Sequence, residues 1–322
     1  MKNRNILIGC GILFFTFFLF VLLVVAVSQS FLRGVGKGVS FKSTIVKKDK
    51  VGVIYISGLI HSGGDRTGLF SESQAGSDAV VRALEKGGRD ENIRVILLRI
   101  NSPGGSAAAS QEIYNEVLKV RQVYKKPVVI SMGDVAASGA FYISAAADTI
   151  IANPATITGS IGVIMEYLNM EGLMEKVGLS PVVLKSVEHK DIGSPFRKAT
   201  DTEQQILQNA INNIHQQFIR DVANGRKIPL SEIEKLADGR FYTGEQAIKL
   251  KLIDRVGGYE EALEYAARLG GIPSPPEIEY LQRAYPFFFL STMEKLGFDF
   301  SNSKNIAHVA DYLLLSPFII QN

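Results

Sequence analysis

The residues best suited to chemistry fall in two short stretches. Pro127-Val-Val-Ile-Ser-Met-Gly-Asp-Val-Ala-Ala-Ser-Gly-Ala-Phe-Tyr142 is an apolar run that meets small residues and then takes on helical character, with Ser138 at the junction. A serine there can hold its hydroxyl in the open while the next backbone N–H points the same way, as an acyl-transfer nucleophile requires. Asn101-Ser-Pro-Gly-Gly105 follows a second apolar run and ends in paired glycines, which let the backbone approach a substrate closely. Alone, the glycine pair reads as a turn. Together with Ser138-Gly139 it offers the two N–H donors that an oxyanion needs.

A serine hydroxyl is a poor nucleophile at neutral pH and needs a base. The residues around Ser138 lack the GxSxG pattern of a nucleophile elbow, which argues against an α/β-hydrolase. His61 and His189 are candidate bases by residue type, and each also reads as structural. A lysine works as a base only where burial lowers its pKa from about 10.4. Lys190, in Glu188-His-Lys-Asp-Ile-Gly-Ser-Pro195, and Lys185 just before it are the candidates, although composition alone reads both as solvated surface lysines. His215 reads as a polar-face helix residue. The four histidines are scattered, with no HExxH or paired-cysteine spacing, so no zinc site is expected. The single cysteine, Cys10, rules out an internal disulfide framework.

Positioning these residues needs a scaffold, and the pattern supplies one. Strand-like runs at 51–57, 94–100, the approach to Ser138 and 149–152 alternate with helical spacing at 78–86, 107–124 and 172–177. Pro181-Val-Val-Leu184 also reads as strand-like. Such alternation predicts an α/β fold with a largely parallel sheet. Both candidate loops then leave the carboxyl ends of strands, where open α/β sheets place ligands. A longer helix starts at the capping box Thr200-x-x-Glu203, carries the stripe Leu207, Ile211, Ile214, Phe218 and Val222, and is expected to stop at Asn224-Gly225. Another helix follows Pro229, Asp238 to Gly244 is rich in turn residues, and 245–250 is helical.

The chain has 322 residues, 46% of them hydrophobic, enough to bury a sizeable core. A net charge of +3 with no Lys/Arg block gives no sign of a nucleic-acid partner. Residues 6–27 are apolar and uncharged, long enough to span a bilayer and longer than the ~7–15 residues of a signal-peptide core. They read as a retained anchor after a short N-terminus (1–5), with cleavage after Ala26-Val27-Ser28 as the alternative. Cys10 falls too early for a lipidation site and reads as a buried membrane cysteine. Lys2 and Arg4 precede the span while Arg33, Lys37, Lys42 and Lys47 follow it, so charge leaves its orientation open. Residues 28–50 read as a juxtamembrane linker and 51–272 as the soluble body. After Pro273 the tail 273–322 carries two apolar runs, 285–290 and 312–320, each too short for a second span.

Four stretches in order carry a specific resemblance. Asn101-Ser-Pro-Gly-Gly105, Ala136-Ala-Ser-Gly-Ala-Phe-Tyr-Ile-Ser144, Ala152-Asn-Pro-Ala-Thr-Ile-Thr-Gly-Ser-Ile-Gly162 and Asp238-Gly-Arg-Phe-Tyr-Thr-Gly244 resemble the signal peptide peptidase A (protease IV) family, in its short form with one membrane anchor. The resemblance covers roughly 51–269. It implies a Ser/Lys protease on the fold shared by Clp proteases and crotonases, preceded by one transmembrane helix. It further implies Ser138 as nucleophile, Lys190 as general base with Lys185 in reserve, and Ser160 holding the lysine amine. The N–H groups of Gly105 and Gly139 would form the oxyanion hole. Ala140 departs from the second glycine of many relatives, with little effect expected because the donor is at Gly139. No metal or other cofactor is implied. The resemblance also implies a homo-oligomeric ring whose dyads are completed across subunit boundaries, so Ser138 and Lys190 are expected to lie apart within one chain. The implied substrates are cleaved signal peptides and other apolar or unfolded peptides, met by a body facing outside the cytoplasm. Two other readings share these features: a crotonase-like acyl-CoA enzyme and a non-catalytic membrane-anchored ring scaffold. Coenzyme A binding would identify the first, and failure of a serine-directed phosphonate to label Ser138 the second.

Overall fold

A computed structural model describes residues 48–64, 66–68 and 71–282. The expected anchor at 6–27 with Cys10, most of the linker, and the apolar runs at 285–290 and 312–320 lie outside the described residues. Among the described residues no helix is long and apolar enough to cross a membrane.

The chain opens with β1 (Lys50–Ser57), β2 (Ile60–His61), β3 (Arg66–Gly68) and β4 (Ser71–Gly76), followed by α1 (Ser77–Arg89), β5 (Ile93–Ser102) and α2 (Ala107–Gln122). Next come β6 (Val128–Ala137), α3 (Gly139–Ala145), β7 (Thr149–Ala152), β8 (Ile157–Gly159) and α4 (Glu171–Lys176). A 3₁₀ turn at Glu188–Asp191 leads to α5 (Asp201–Arg226), α6 (Leu230–Leu236), β9 (Phe241–Thr243), α7 (Gly244–Lys249), β10 (Arg255–Val256), α8 (Tyr259–Leu269) and β11 (Glu277–Tyr280).

The main sheet runs β10-β7-β6-β5-β1-β11, with every neighbouring pair parallel. β8 adds to β6 in parallel and β9 to β8 antiparallel. The fold is therefore α/β with a mostly parallel sheet. Strand residues alternate between two cores. Val51, Val53, Val95, Leu97 and Val129 pack on one face against Ala262, Leu263, Ala266 and Ala267 of α8. Ile54, Ile56, Ile96, Leu98, Ile100 and Ile130 pack on the other, beneath α1, α2 and α3. Burial on both faces explains why these strands read as apolar runs rather than as alternating ones.

The sheet does not end at 272. β11 lies parallel to β1, Lys50 facing Glu277 and Val53 facing Tyr280. Beyond it, the Gln282 side chain accepts from Tyr55 N at 2.8 Å and donates to Tyr55 O at 2.8 Å, continuing the ladder of β1 with a carboxamide.

Two local readings need correction. Pro181-Val-Val-Leu184 is not a strand: the segment is irregular, and Val182 and Leu184 are 86% and 95% exposed. Its side chains favour a strand, but a strand also needs a neighbour for its backbone groups, and it pairs with none among the described residues. Asn224-Gly225 does not stop the long helix either. α5 runs on to Arg226 and ends at a left-handed Lys227. Gly225 serves a close approach instead, since a Cβ there would fall 2.1 Å from Ala145 O at the end of α3.

Candidate active site

Ser138 follows β6 and immediately precedes α3, with φ 53° and ψ −122°. This is a costly conformation for a residue with a Cβ, on the order of 1–3 kcal/mol. Two backbone bonds hold it, Ser138 N to Gly159 O at 2.8 Å and Tyr142 N to Ser138 O at 2.9 Å. Ser160 is also left-handed, at φ 52°, with its N–H bonded to Arg240 O at 2.9 Å. Of the five non-glycine residues with positive φ among the described residues, these two line the same cleft.

That cleft has a volume of about 680 Å³ and brings together Ser138, Gly139, Gly105 and Ser160. The Gly105 loop is fixed through β2, with Ile60 N donating to Gly104 O and Ser106 N to Ile60 O, both at 2.9 Å. Gly105 has φ 151°, and a Cβ there would stand 2.1 Å from Ile60 O, so only glycine fits. The buried Ser110 backs Gly139, and a Cβ on Gly139 would lie 3.4 Å from Gly105 N. Neither the Gly105 nor the Gly139 N–H donates to a group among the described residues. Two unengaged donors therefore sit beside an upheld hydroxyl, an arrangement able to accept a developing oxyanion.

The opposite wall is α5. Tyr142 stacks on Phe218 with centroids 4.5 Å apart and planes 15° apart. Its hydroxyl donates to Asp221 and accepts from Gln111 Nε2 at 3.1 Å. Tyr114 OH donates to Asp221 O at 2.9 Å. Burial, reinforced by Asp221, holds the Tyr142 phenol above its ordinary pKa, and burial pushes Tyr114 up to about 12. Both phenols stay protonated and serve as donors that lock α2, α3 and α5 around the cleft.

His215 belongs to that wall, which corrects its reading as a polar-face residue. It lines the cleft, and its Nε2 is buried without a partner among the described residues. The spacing carried the signal: Ile211, His215, Phe218 and Val222 recur at four-, three- and four-residue steps, so the histidine continues the inward stripe. Asn101 is a further residue whose task the sequence did not reveal. Ile100 faces Met132 while Ser102 faces Ala136, so β6 carries two extra residues there. Asn101 Oδ1 accepts the Val135 N–H at 3.1 Å inside this bulge. Thr156 and Thr158 cap Gly133 O and Ala136 O, each at 2.7 Å. The loop that carries Gly105 thus also sets the strand that delivers Ser138.

The candidate lysines lie elsewhere. Neither Lys185 nor Lys190 lines the cleft. Both sit in the stretch 163–199, in which no residue is buried. Lys190 is exposed on the 3₁₀ turn, and its amine has no partner among the described residues. Lys185 Nζ is engaged, donating to Glu188 O and Asp191 Oδ1, each at 2.7 Å. His61 Nδ1 contacts Ser62 O at 2.8 Å, and neither His61 nor His189 lines the cleft. Among the described residues no group of acidic, histidine or cysteine side chains could hold a metal.

A parallel sheet with a strained serine at a strand end and two free N–H groups beside it has the architecture of a Clp-type protease, and residues 73–157 match the Clp protease family model. Residues 121–272 match the model described as Peptidase family S49. A protein of Synechocystis sp. whose name classes it as a protease is 40% identical over 247 residues, covering 76% of this chain and 83% of that one. An Enterococcus faecium protein carrying the name signal peptide peptidase SppA is 36% identical over 231 residues, covering 72% and 67%. Protease 4 of Haemophilus influenzae is 35% identical over 221 residues, 69% of this chain but 35% of that longer one. The chain belongs to peptidase family S49, the family of signal peptide peptidase A and protease IV, and is a protease by that membership.

Proposed function

We propose that this chain is a membrane-anchored serine endopeptidase that uses Ser138 as nucleophile and Lys190 as general base, with the lysine supplied by a neighbouring copy in a homo-oligomeric ring. The observation that carries the reading is the convergence of Ser138, Ser160 and the unengaged N–H groups of Gly105 and Gly139 on one cleft. The exposure of Lys190 outside that cleft, on a stretch with no buried residue, supports completion of the site by a second subunit.

In the reaction, neutral Lys190 takes the Ser138 hydroxyl proton as Oγ attacks a peptide carbonyl. The tetrahedral oxyanion is received by the Gly105 and Gly139 N–H groups. The lysine then gives its proton to the leaving amine as the C–N bond breaks. Water attacks the acyl-enzyme, its proton passes to the lysine, and Ser138 recovers a proton as the acid product leaves. Ser160 orients the amine by a hydrogen bond. Residues 6–27 hold the enzyme in the cell membrane as a single-pass anchor, with the body on the extracytoplasmic side. Its substrates there are cleaved signal peptides and other apolar or unfolded peptides, and no cofactor takes part.

Ser138→Ala is expected to reduce cleavage of an unfolded peptide by at least ~10³-fold with an unchanged circular dichroism spectrum. Lys190→Ala should be equally inactive. Mixing the two inactive proteins under conditions that exchange subunits should restore activity, because mixed rings contain sites with both groups. Cleavage by Ser138→Ala would refute the nucleophile. Mixed rings, confirmed by mass, that stay inactive would refute sharing of the site.

A further inference from the structure

The stretch 163–199 has no buried core, yet it holds a defined shape around Lys190. Chain contacts account for part of this, with Met170 N bonded to Pro195 O at 2.6 Å and Lys198 N to Glu171 Oε2 at 3.0 Å. The rest comes from ions. Asp191, next in the chain to Lys190, receives Lys185 Nζ at 2.7 Å on one oxygen and Arg197 Nε at 2.8 Å on the other. Arg197 turns its remaining fork onto Glu203, with Nη1 2.8 Å from Oε2. Glu203 is only 2% exposed, and its Oε2 also accepts Thr200 N at 2.9 Å as half of the capping box that starts α5. The chain of contacts therefore runs from the turn bearing Lys190 to the one buried side chain in the first turn of a 26-residue helix that forms a wall of the Ser138 cleft.

We propose that Lys185, Asp191, Arg197 and Glu203 form a charge-balanced brace that positions Lys190 and keeps the electrostatic field at its amine close to neutral. The proposal rests on the reading of Lys190 as the base. Two cations meet two carboxylates, so the brace adds almost no net charge beside the amine. An isolated Asp191 would favour the protonated, inactive lysine. Bonds from Arg197 and then Lys185 hold the Asp191 carboxyl well below its ordinary range, and Arg197 and then Thr200 lower Glu203 to about 2. Both carboxylates are thus ionised wherever the enzyme works. The brace also separates the two lysines by role: Lys185 is held by two acceptors as a structural cation, while the Lys190 amine meets no partner among the described residues. The other charged groups around the turn are Glu188 and His189 on the turn itself, with Glu171 and Lys198 beside it. The cleft that the amine must enter adds His215 and Asp238, the latter paired with Arg240 at 2.8 Å.

The test is the pH profile of kcat/KM for an unfolded peptide, measured on the full chain in detergent. Arg197→Gln leaves an excess carboxylate beside the amine and should move the acidic limb to higher pH by about half a unit, a ~3-fold rate loss on that limb. Glu203→Gln keeps a cap-competent side chain, leaves an excess cation and should move the limb the other way. Asp191→Asn carries the same sign as Glu203→Gln and replaces it if that variant does not fold. Arg197→Lys restores the charge without the planar fork, so its limb should return to the wild-type position while kcat falls because Lys190 is held less firmly. Limbs that do not move, or that move in the same direction in Arg197→Gln and Glu203→Gln, overturn the brace. Lys190→Ala separates the two failures. If it is inactive while the limbs stay fixed, only the brace is wrong; if it still cleaves, the assignment of the base falls and takes the brace with it.

Discussion

The sheet and its cleft differ in kind from the stretch 163–199. In the first, Ile54, Leu98, Ile130 and Phe141 are fully buried, and the strained Ser138 is held by packing and backbone bonds. In the second, Ile164, Leu168, Val182 and Leu184 are 75–95% exposed, and form is kept by carboxylates, an arginine and a lysine. The hydrophobic effect can hold a site rigid inside one chain. It cannot do so for a segment that leaves most of its apolar side chains exposed, and there ion pairs and caps keep the form. The difference teaches that packing sets the cleft around Ser138, while ion pairs and a helix cap shape the stretch that carries Lys190.

Several changes would break or sharpen that contrast. The largest effect is expected from Gly105→Ala, whose Cβ would stand 2.1 Å from Ile60 O and displace a donor N–H. Its kcat should fall ~10²-fold or more with a smaller change in KM, as measured by initial rates. Phe218→Ala removes a buried ring stacked on Tyr142 and should cost about 3–5 kcal/mol in urea unfolding. Acid should act on the other region. Glu203 has its pKa lowered in the folded protein, so its contribution is full above the ordinary carboxylate value and fades as pH falls towards about 2. Amide protection at 188–203, taken relative to the intrinsic exchange rate at each pH, should accordingly fall on acidification before protection in β5 and β6 does. Equal acid sensitivity in both regions would erase the contrast. The smallest effect on the single chain is expected from Leu184→Ser, within about 0.5 kcal/mol, while the same change should weaken self-association in sedimentation. A large loss of monomer stability would show that Leu184 is packed within its own subunit.

The parts of this chain that were legible in its sequence are those governed by local pattern. β1, β5 and β6 announce themselves as apolar runs because both faces of the sheet are covered. The Thr200–Glu203 box marks the start of α5 correctly. The pairing of Asn101-to-Gly105 with Ser138-Gly139 follows from loops leaving adjacent parallel strands. What the sequence hid was set by distant neighbours. Gly225 carries a helix-stop signal, but its meaning comes from Ala145 across the helix interface. Pro181 to Leu184 has strand composition without a strand to pair with. His215 is polar by type, yet its place in the stripe turns it into the cleft wall. The role of Asn101 depends on a bulge in β6 that no spacing rule announces.

The carboxamide of Gln282 across Tyr55 has a wider meaning. The edge of a sheet is an open invitation for any extended chain. By occupying both the N–H and the carbonyl of Tyr55, Gln282 closes the outward margin of β1 just where the short β11 runs out. An extended chain is thereby denied a place to add itself as a further strand at Tyr55.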